Sequence, residues 1–275
     1  MRIIDAHQHF WKFNPLRDAW ITEDMDVIRK DFLPEHLAPV LEANGVEGCV
    51  AVQADQSEDE TNFLLQLAEE ADMIKGVVGW VDLQLDTIKE RLERFSLHKK
   101  LKGFRHILQG ETKRDLMLQP AFQNGIGLLN KYNFTYDILI FPDQLPYTKE
   151  LVTAFPDQRF VIDHIAKPPI KKGEREVWEK NLAAVAEREN VWCKISGLVT
   201  EADWVSWKKE DFRPYLDTVV NVFGPDRLLF GSDWPVCLLA ASYEEVLSIV
   251  TDYFSPFPEN EKQLIFLKMP YAFIS

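Results

Sequence analysis

The chain has 275 residues, with 31 lysines and arginines against 44 aspartates and glutamates, which gives a formal net charge of −13. This acidic balance argues against nucleic acid or an anionic membrane as a partner, but it leaves an anionic small-molecule substrate open, because net charge says little about a buried pocket. The length suits one α/β barrel, which needs about 250 residues, and the hydrophobic fraction of 46% is enough for a large core. We therefore expect a single domain over residues 1–275, whereas the sequence does not specify an oligomeric state.

Cysteine content and hydropathy indicate the cellular compartment. Cys49, Cys193 and Cys237 are widely separated and odd in number, which is typical of reduced thiols rather than a disulfide framework. No segment is long and apolar enough to span a bilayer, and the first predicted strand begins at residue 3, so we expect no signal peptide. These features predict a cytoplasmic protein.

Short apolar, β-branched runs alternate with longer helical patterns along the chain. Most of the short runs are continuously apolar, as parallel strands are when both faces of the sheet are covered. The predicted strands are residues 3–9, 46–53, 74–81, 101–107, 134–141, 159–165, 191–196 and 227–232. The predicted helices are residues 34–44, 58–72, 85–96, 115–131, 146–155, 174–189, 211–223 and 242–254. Eight such units favour an α/β fold of the (β/α)₈ TIM-barrel type over an open doubly wound sheet.

Two loops are longer than the usual connections of a barrel. Residues 10–33 are rich in aromatic side chains, and residues 197–210 carry two tryptophans. Both loops follow predicted strands, so both belong to the carboxyl-terminal face of the barrel, where active sites lie. We expect them to form pocket walls or lids.

The first strand contains a His-x-His pair, His7 and His9. Because side chains alternate along a strand, Asp5, His7 and His9 are expected to share one face. Two imidazoles on one face form half of a metal site or a clamp on a substrate oxygen, although core histidines with satisfied hydrogen bonds are equally common. The pair alone leaves both interpretations open.

Polar side chains end every predicted strand. In chain order they are His7 and His9, Gln53, Asp82, Arg105 and His106, Tyr136 and Asp137, Asp163 and His164, Lys194, and Asp233. Polar groups at the ends of buried strands are costly unless they are hydrogen-bonded or used in function. Their convergence on one rim of a barrel predicts an active site there.

The chemistry of these side chains suggests their roles. Asp233 is a candidate general base that could accept a proton from water. His164 is a candidate third metal ligand or a group that polarises a carbonyl oxygen, and Arg105 suits a substrate carboxylate or a developing oxyanion. Adjacent residues on a strand point to opposite faces, so we expect Arg105 rather than His106, and His164 rather than Asp163, to enter the barrel.

Further side chains are candidates for contacting the substrate: Trp11, Gln53, His106, Tyr136, Lys194 and Trp234. For Lys194, an ion pair with a neighbouring carboxylate is an equal alternative. For Trp11 and Trp234, stacking on a sugar competes with simple packing at the rim.

Five motifs resemble one known family. They are Asp-Ala-His-Gln-His-Phe-Trp at 5–11, Gly-Phe-Arg-His at 103–106, Phe-Val-Ile-Asp-His-Ile-Ala-Lys-Pro-Pro at 160–169, Cys-Lys-Ile-Ser-Gly-Leu at 193–198 and Leu-Phe-Gly-Ser-Asp-Trp-Pro-Val-Cys at 229–237. In this order they are similar to the lactonase branch of the amidohydrolase superfamily, which includes L-fuconolactonase, L-rhamnono-lactonase and pyrone-dicarboxylate lactonase types. The resemblance covers nearly the whole chain.

The resemblance implies a (β/α)₈ barrel that hydrolyses a sugar-acid lactone, such as that of L-fuconate or L-rhamnonate. The family pattern maps its strand-one and strand-six histidines onto His7, His9 and His164, and its strand-eight aspartate onto Asp233. Arg105 matches the strand-four arginine that contacts the lactone. The implied mechanism has Asp233 activating a water molecule that attacks the lactone carbonyl, while the histidines, Arg105 or a divalent ion stabilise the oxyanion.

The sequence departs from the family pattern at two places, and each departure leads to a prediction. Strands four and five read Lys-Gly-Phe-Arg-His and Thr-Tyr-Asp-Ile, without the bridging residue and the histidine of binuclear members. The resemblance therefore implies one divalent metal, Zn²⁺, held by His7, His9, His164 and Asp233, which activity need not require. The chain also ends without the Gly-Gly-Asn-Ala segment of the branch, a segment that normally lies close to the end of strand eight. We expect altered packing or reduced activity there.

Two alternative functions remain at this point. One is a decarboxylase or hydro-lyase of the same barrel group that acts on a carboxylated ring. The other is a non-catalytic barrel that binds a sugar acid.

Overall fold

The computed structural model, which describes residues 2–274, contains one eight-stranded parallel sheet whose strands follow each other in chain order. The strands are β1 Ile3–Gln8, β2 Val46–Val52, β3 Ile74–Gly79, β4 Leu101–His106, β5 Thr135–Ile138, β6 Phe160–Ile162, β7 Val191–Ile195 and β8 Leu228–Phe230. Each lies within a segment predicted to be a strand. The α/β barrel expected from the alternation of apolar runs and helical patterns is confirmed.

Helices connect consecutive strands and cover the outside of the sheet. They are α1 Pro34–Ala43, α2 Glu58–Glu70, α3 Ile88–Phe95, α4 Pro120–Leu129, α5 Leu145–Ala154, α6 Glu176–Ala186, α7 Lys209–Phe223, α8 Tyr243–Phe254, α9 Glu259–Gln263 and α10 Met269–Ile274. Local sequence explains their ends: α8 begins with a capping box in which the Ser242 hydroxyl accepts from the Glu245 amide and the Glu245 carboxylate accepts from the Ser242 amide. None of the helices described within residues 2–274 has the length and apolarity needed to cross a membrane.

Backbone hydrogen bonds between β1 and the segment after β8 close the barrel. The His9 amide donates to the Trp234 carbonyl at 2.7 Å, and the Asp233 amide donates to the His7 carbonyl at 2.8 Å. Asp5 strengthens this seam, because its carboxylate accepts the Ser232 amide at 2.9 Å. The residues that close the barrel are thus the sequence-predicted site residues themselves.

The expectation that Asp5, His7 and His9 share one face is wrong for Asp5. Its carboxylate accepts the hydroxyl of Tyr243 on α8, so it lies between the sheet and the helices. The register of β1 against β2 shifts between Asp5 and Gln8, which breaks the simple alternation of side chains. The imidazoles of His7 and His9 meet inside the barrel, where their Nε2 atoms lie 3.2 Å apart.

A left-handed turn follows β6. Four consecutive non-glycine residues have positive φ angles: His164 (54°), Ile165 (47°), Ala166 (60°) and Lys167 (49°). This conformation costs about 1–2 kcal/mol per residue, so the surroundings must stabilise it. The Lys167 amide donates to the His164 carbonyl and the buried Trp178 indole donates to the Ile165 carbonyl, each at 2.8 Å.

The left-handed turn also changes which side chains enter the barrel. Strand alternation ends at Ile162, and both Asp163 and His164 point inward, where each approaches His7. The expectation that only His164 of this pair would enter is therefore wrong.

The segment from α9 to α10 lies at the amino-terminal end of the barrel. Met269 and Phe273 pack against a buried cluster of Ala6, Val161 and Leu229 inside the sheet. The ring of Phe273 also meets that of Trp192 at the start of β7, 5.1 Å away. The atypical tail therefore approaches β8 from the side opposite to Asp233. Ser275, the last residue of that tail, lies outside the described residues, as does Met1.

We expect Trp178→Phe to lower the free energy of unfolding by about 1–3 kcal/mol, because it leaves the buried Ile165 carbonyl without its donor while the ring packing is kept. Denaturant unfolding measures the change. Trp204→Phe is the matched control, since the Trp204 indole also donates to a carbonyl, that of Thr200 at 3.0 Å, at a half-buried position. Water can replace that donor, so the control should change stability by less than about 0.5 kcal/mol. Equal effects of the two variants would contradict the role assigned to Trp178.

Candidate active site

A cavity of about 300 Å³ opens at the carboxyl-terminal ends of the strands. Its wall consists of His9, Trp20, Ala54, Arg105, Ile107, Gln109, Gly110, Leu139, His164, Lys167, Asp233 and Val236. These residues follow or end β1, β2, β4, β5, β6 and β8, as expected for the active face of a barrel. The long loop 10–33 contributes Trp20, whose ring packs edge-on against the buried Trp11 at 5.9 Å.

Three imidazoles surround the carboxylate of Asp233. The Asp233 Oδ1 atom lies 3.3 Å from His9 Nε2, 3.9 Å from His7 Nε2 and 3.9 Å from His164 Nε2. All four side chains are buried, and His7 and His164 lie with their ring centres 4.4 Å apart. His164 and Asp233 both have left-handed backbone angles, with φ of 54° and 60°. Strained backbone of this kind is concentrated at functional sites.

A partner on the other ring nitrogen orients each imidazole. These Nδ1 contacts are Val52 O at 2.8 Å from His9, Ser196 Oγ at 2.9 Å from His164 and Asp163 Oδ1 at 3.2 Å from His7. A carbonyl oxygen only accepts, so Nδ1 of His9 carries a proton and donates to Val52 O. The ring of His7 is held at both nitrogens, because Lys194 Nζ lies 3.4 Å from Nδ1 and Arg105 Nη1 lies 3.3 Å from Nε2. Burial lowers the pKa of His164 to about 4 and that of His7 well below its ordinary value, which keeps both rings neutral.

This donor set fits a divalent metal. His7, His164 and Asp233 each offer one ligand atom within 4.8 Å of the others, and His9 Nε2 adds a fourth donor. His9 Nε2 lies 3.2 Å from His7 Nε2 and 3.3 Å from Asp233 Oδ1, spacings that two ligands of one zinc ion can have. Metal-bound histidines also hold an acceptor on the second ring nitrogen, as these do.

Two glycines that the sequence analysis did not single out make room for the histidines. A Cβ atom on Gly197 would lie 2.6 Å from His164 Nδ1, and one on Gly231 would lie 2.6 Å from the His7 Cβ. Gly197 also has a φ of 64°, which other residues rarely adopt. Both glycines stand inside the quoted Ser-Gly-Leu and Phe-Gly-Ser motifs, and only the spatial arrangement reveals which side chain each one admits.

A network of buried charges lies beneath the histidines, with Asp163 at its centre. Asp163 contacts Arg105 Nη1 at 3.0 Å, Lys194 Nζ at 3.0 Å and His7 Nδ1 at 3.2 Å. Burial by itself raises the pKa of the Asp163 carboxyl, but Lys194 and His7 outweigh it and hold that pKa well below its usual range. Asp137 also pairs with Lys194, although burial raises its pKa to about 6. Of the two alternatives for Lys194, the structure shows the ion pair.

Arg105 lines the cavity, but its terminal nitrogens are engaged by protein atoms. Nη1 contacts Asp163, and Nη2 donates to the side-chain and backbone oxygens of Gln53. Gln53 in turn donates from its amide to the Arg105 carbonyl at 3.2 Å. Gln53 therefore positions Arg105 and is not part of the cavity wall.

The structure does not bring four other predicted substrate contacts to the cavity. His106 contacts the Trp80 indole and Glu111, and Tyr136 packs its ring against Phe122 and Phe160. Both face the helices, because each alternates with an inward neighbour on its strand. Trp11 donates to the Lys30 carbonyl, and Trp234 packs against Phe10 and Phe32. Of the two alternatives for Trp11 and Trp234, the structure shows packing at the rim, and the tryptophan in the cavity wall is Trp20.

The Asp233 carboxylate is ionised in this environment. Burial by itself raises the pKa of Asp233, but His164 and His9 hold it well below its ordinary value. The site thus combines an anionic oxygen acceptor, three imidazoles and a cavity large enough for a small molecule. This arrangement suits water activation beside a polarised carbonyl.

Comparison with known proteins agrees with this site. Residues 4–272 match the protein family described as Amidohydrolase. The chain is 41% identical to an L-fucono-1,5-lactonase of Burkholderia multivorans over 257 residues, which are 90% of this chain and 86% of the relative. It is 36% identical to an L-fucono-1,5-lactonase of Burkholderia ambifaria over 243 residues, 87% of this chain and 82% of the relative. A crystal structure of a Burkholderia multivorans amidohydrolase with bound zinc has a TM-score of 0.95 at 37% identity, covering 100% of this chain and 99% of that one. The chain therefore belongs to the amidohydrolase family, in the branch that contains these sugar-acid lactonases.

Proposed function

We propose that this protein hydrolyses a sugar-acid lactone of the L-fuconolactone or L-rhamnonolactone class to the open hydroxy acid. The observation that carries the proposal is the Asp233 carboxylate, ionised and surrounded by three imidazoles on the wall of a small cavity. The similarity to two L-fucono-1,5-lactonases at 36–41% identity supports the same reaction.

Asp233 is the general base of the proposed reaction. Its carboxylate accepts a proton from a water molecule while the water oxygen bonds to the lactone carbonyl carbon. The tetrahedral intermediate then collapses, the bond between that carbon and the ring oxygen breaks, and the ring oxygen takes up the proton. A carboxylate held ionised by its neighbours is ready to accept this proton at neutral pH.

The carbonyl oxygen gains negative charge during the attack, and the site must stabilise it. His7, His9, His164 and Asp233 would hold a divalent cation, which would act as a Lewis acid toward that oxygen when bound. We infer that the cation is Zn²⁺, because imidazole nitrogens dominate the donor set. Asp163, held by Arg105 and Lys194, keeps the ring of His7 in the orientation that this role needs.

The remainder of the wall suits a sugar derivative. Trp20, Ile107, Leu139 and Val236 supply apolar surface for carbon-bound hydrogens, while Gln109 supplies an amide for hydroxyl groups. The acidic composition supports a small-molecule substrate with no nucleic acid or membrane partner, and a cytoplasmic location remains a prediction.

We expect Asp233→Asn to lower kcat by about 10²–10⁴-fold, because the amide cannot accept a proton from water. Acid release from L-fucono-1,5-lactone, followed with a pH indicator, measures the rate. Asp82→Asn is the matched control, since Asp82 also follows a strand but does not line the cavity. Circular dichroism should show both variants folded. A folded Asp233→Asn variant with the rate of the unaltered protein would remove the general-base assignment.

We expect Gly197→Ala to reduce both kcat and the amount of bound zinc at least about tenfold, because metal affinity and activity depend on the exact orientation of each ligand. The new Cβ would lie 2.6 Å from His164 Nδ1 and displace that ring. Elemental analysis and steady-state kinetics measure the two effects. Gly173→Ala is the control: Gly173 has a similar φ of 69° but nothing within 4 Å of the added atom. If both variants keep full activity and metal, the close approach of Gly197 has no functional role.

A panel of aldonolactones tests the reaction class. We expect hydrolysis of six-carbon lactones, with acid release proportional to the amount of protein. No detectable hydrolysis of any lactone, combined with release of carbon dioxide from a carboxylated ring, would favour the decarboxylase alternative. Binding of sugar acids without turnover of any lactone would favour a non-catalytic barrel.

A further inference from the structure

Two wall residues of the cavity carry a positive charge within the part of the chain that the structure describes, and each already has a carboxylate partner. Arg105 contacts Asp163 at 3.0 Å beneath the histidines. Lys167 Nζ lies 2.8 Å from Glu201 Oε1 at the wall itself. The third charge on the wall is the Asp233 carboxylate. Apart from a cation held by the histidines and Asp233, the wall therefore presents no unmatched positive charge to a ligand.

The Lys167–Glu201 pair is held from two sides. Lys167 ends the left-handed turn after β6, and Glu201 ends a short 3₁₀ helix, Val199–Glu201, in the long loop after β7. The two side chains are only 16% and 20% exposed, so water and salt screen the pair less than a surface ion pair. The Lys167 amine also lies 5.9 Å from the centre of the Phe141 ring. The amine is thus fixed between an aromatic face and a carboxylate.

We infer that Glu201 is a specificity-determining residue: by neutralising Lys167, it makes the cavity accept uncharged polyhydroxy lactones and exclude lactones that carry a further carboxylate. The inference rests on the proposed function and names the substrate charge that the function leaves open. A ligand carboxylate loses its hydration on entering the cavity, and this loss is large unless a cation is available to pair with it. Arg105 and Lys167 are already paired, and Asp233 repels a second anion.

The same charge pattern acts on the product. Ring opening converts a neutral lactone into a carboxylate, which then lies in a cavity whose two cations are matched and whose base is anionic. The product gains no ion pair with Lys167 while Glu201 holds that amine. Glu201 therefore favours release of the acid as well as entry of the neutral lactone.

Four forms of the full chain test this inference: the unaltered protein, Glu201→Gln, the double variant Glu201→Gln/Lys167→Gln, and Glu187→Gln. Glu187 is the matched control, because it pairs with Lys149 at 3.3 Å on the exposed surface. The probes are sodium L-fuconate for calorimetric binding, and L-fucono-1,5-lactone and D-glucaro-1,4-lactone, a lactone with an additional carboxylate, for kinetics.

Glu201→Gln should bind L-fuconate about tenfold more tightly than the unaltered protein, because hydrogen bonds to a charged group are the stronger ones. The gain should shrink as salt is raised from low to physiological ionic strength, a response that mere loosening of the loop would not produce. The ratio of kcat/KM for D-glucaro-1,4-lactone to that for L-fucono-1,5-lactone should rise by a similar factor. The double variant should return to the original affinity, and Glu187→Gln should not differ from the unaltered protein.

The outcomes are separable. Unchanged affinity of a folded Glu201→Gln variant for L-fuconate, no detectable binding by any form, or a gain that persists in the double variant would each overturn the inference. Failure of the unaltered protein to open any lactone would instead overturn the proposed function. The calorimetric comparison of L-fuconate binding would still decide the role of Glu201 in that case.

Discussion

The closing seam of the barrel is the constraint on which the site depends. β8 is only three residues long, so the sheet closes through the segment that follows it, by hydrogen bonds between His7 and Asp233 and between His9 and Trp234. The same bonds fix the Asp233 carboxylate, the proposed general base, relative to the imidazoles of His7 and His9. Asp5 joins the seam to α8 through Ser232 and Tyr243. Any change that loosens closure therefore also displaces the reacting groups, which couples fold stability to catalysis.

The charges beneath the histidines show how the protein keeps a buried ionic cluster. Asp163, Asp137, Arg105 and Lys194 are all nearly inaccessible to water. Burying any one of these charges alone would be costly. The ion pairs Arg105–Asp163, Lys194–Asp137 and Lys194–Asp163 offset much of that cost. The cluster also has a directional effect, because Asp163 accepts from His7 Nδ1 and so turns His7 Nε2 toward Asp233. Removing one member would leave its partner uncompensated, so this cluster should tolerate substitution poorly.

Local sequence patterns correctly predicted the strands. They did not predict side-chain placement where tertiary packing overrides the local pattern. Continuous apolar runs bounded by polar rim residues located all eight strands, and Arg105 and His164 were correctly expected to point inward. Asp163 was not, although it continues the inward alternation of Val161 on β6. The left-handed turn brings His164 inward as well, and its φ angles cannot be read from residue types that normally avoid that region. The sequence does not distinguish Trp11 from Trp20, because two aromatic residues of one loop look alike until packing buries one of them and leaves the other in the cavity wall.

The left-handed turn connects catalysis to substrate choice. His164, at the start of the turn, approaches Asp233, the proposed general base. Lys167, at the end of the turn, pairs with Glu201 in the loop after β7. Trp178 holds the middle of the turn through the Ile165 carbonyl. Because Glu201 pairs with Lys167 at the end of the turn, we expect a substitution of Glu201 to change the charge offered to the substrate while His164 keeps its position. Substitutions in the loops can therefore change which lactone is preferred. The left-handed backbone that positions the proposed base would stay unchanged.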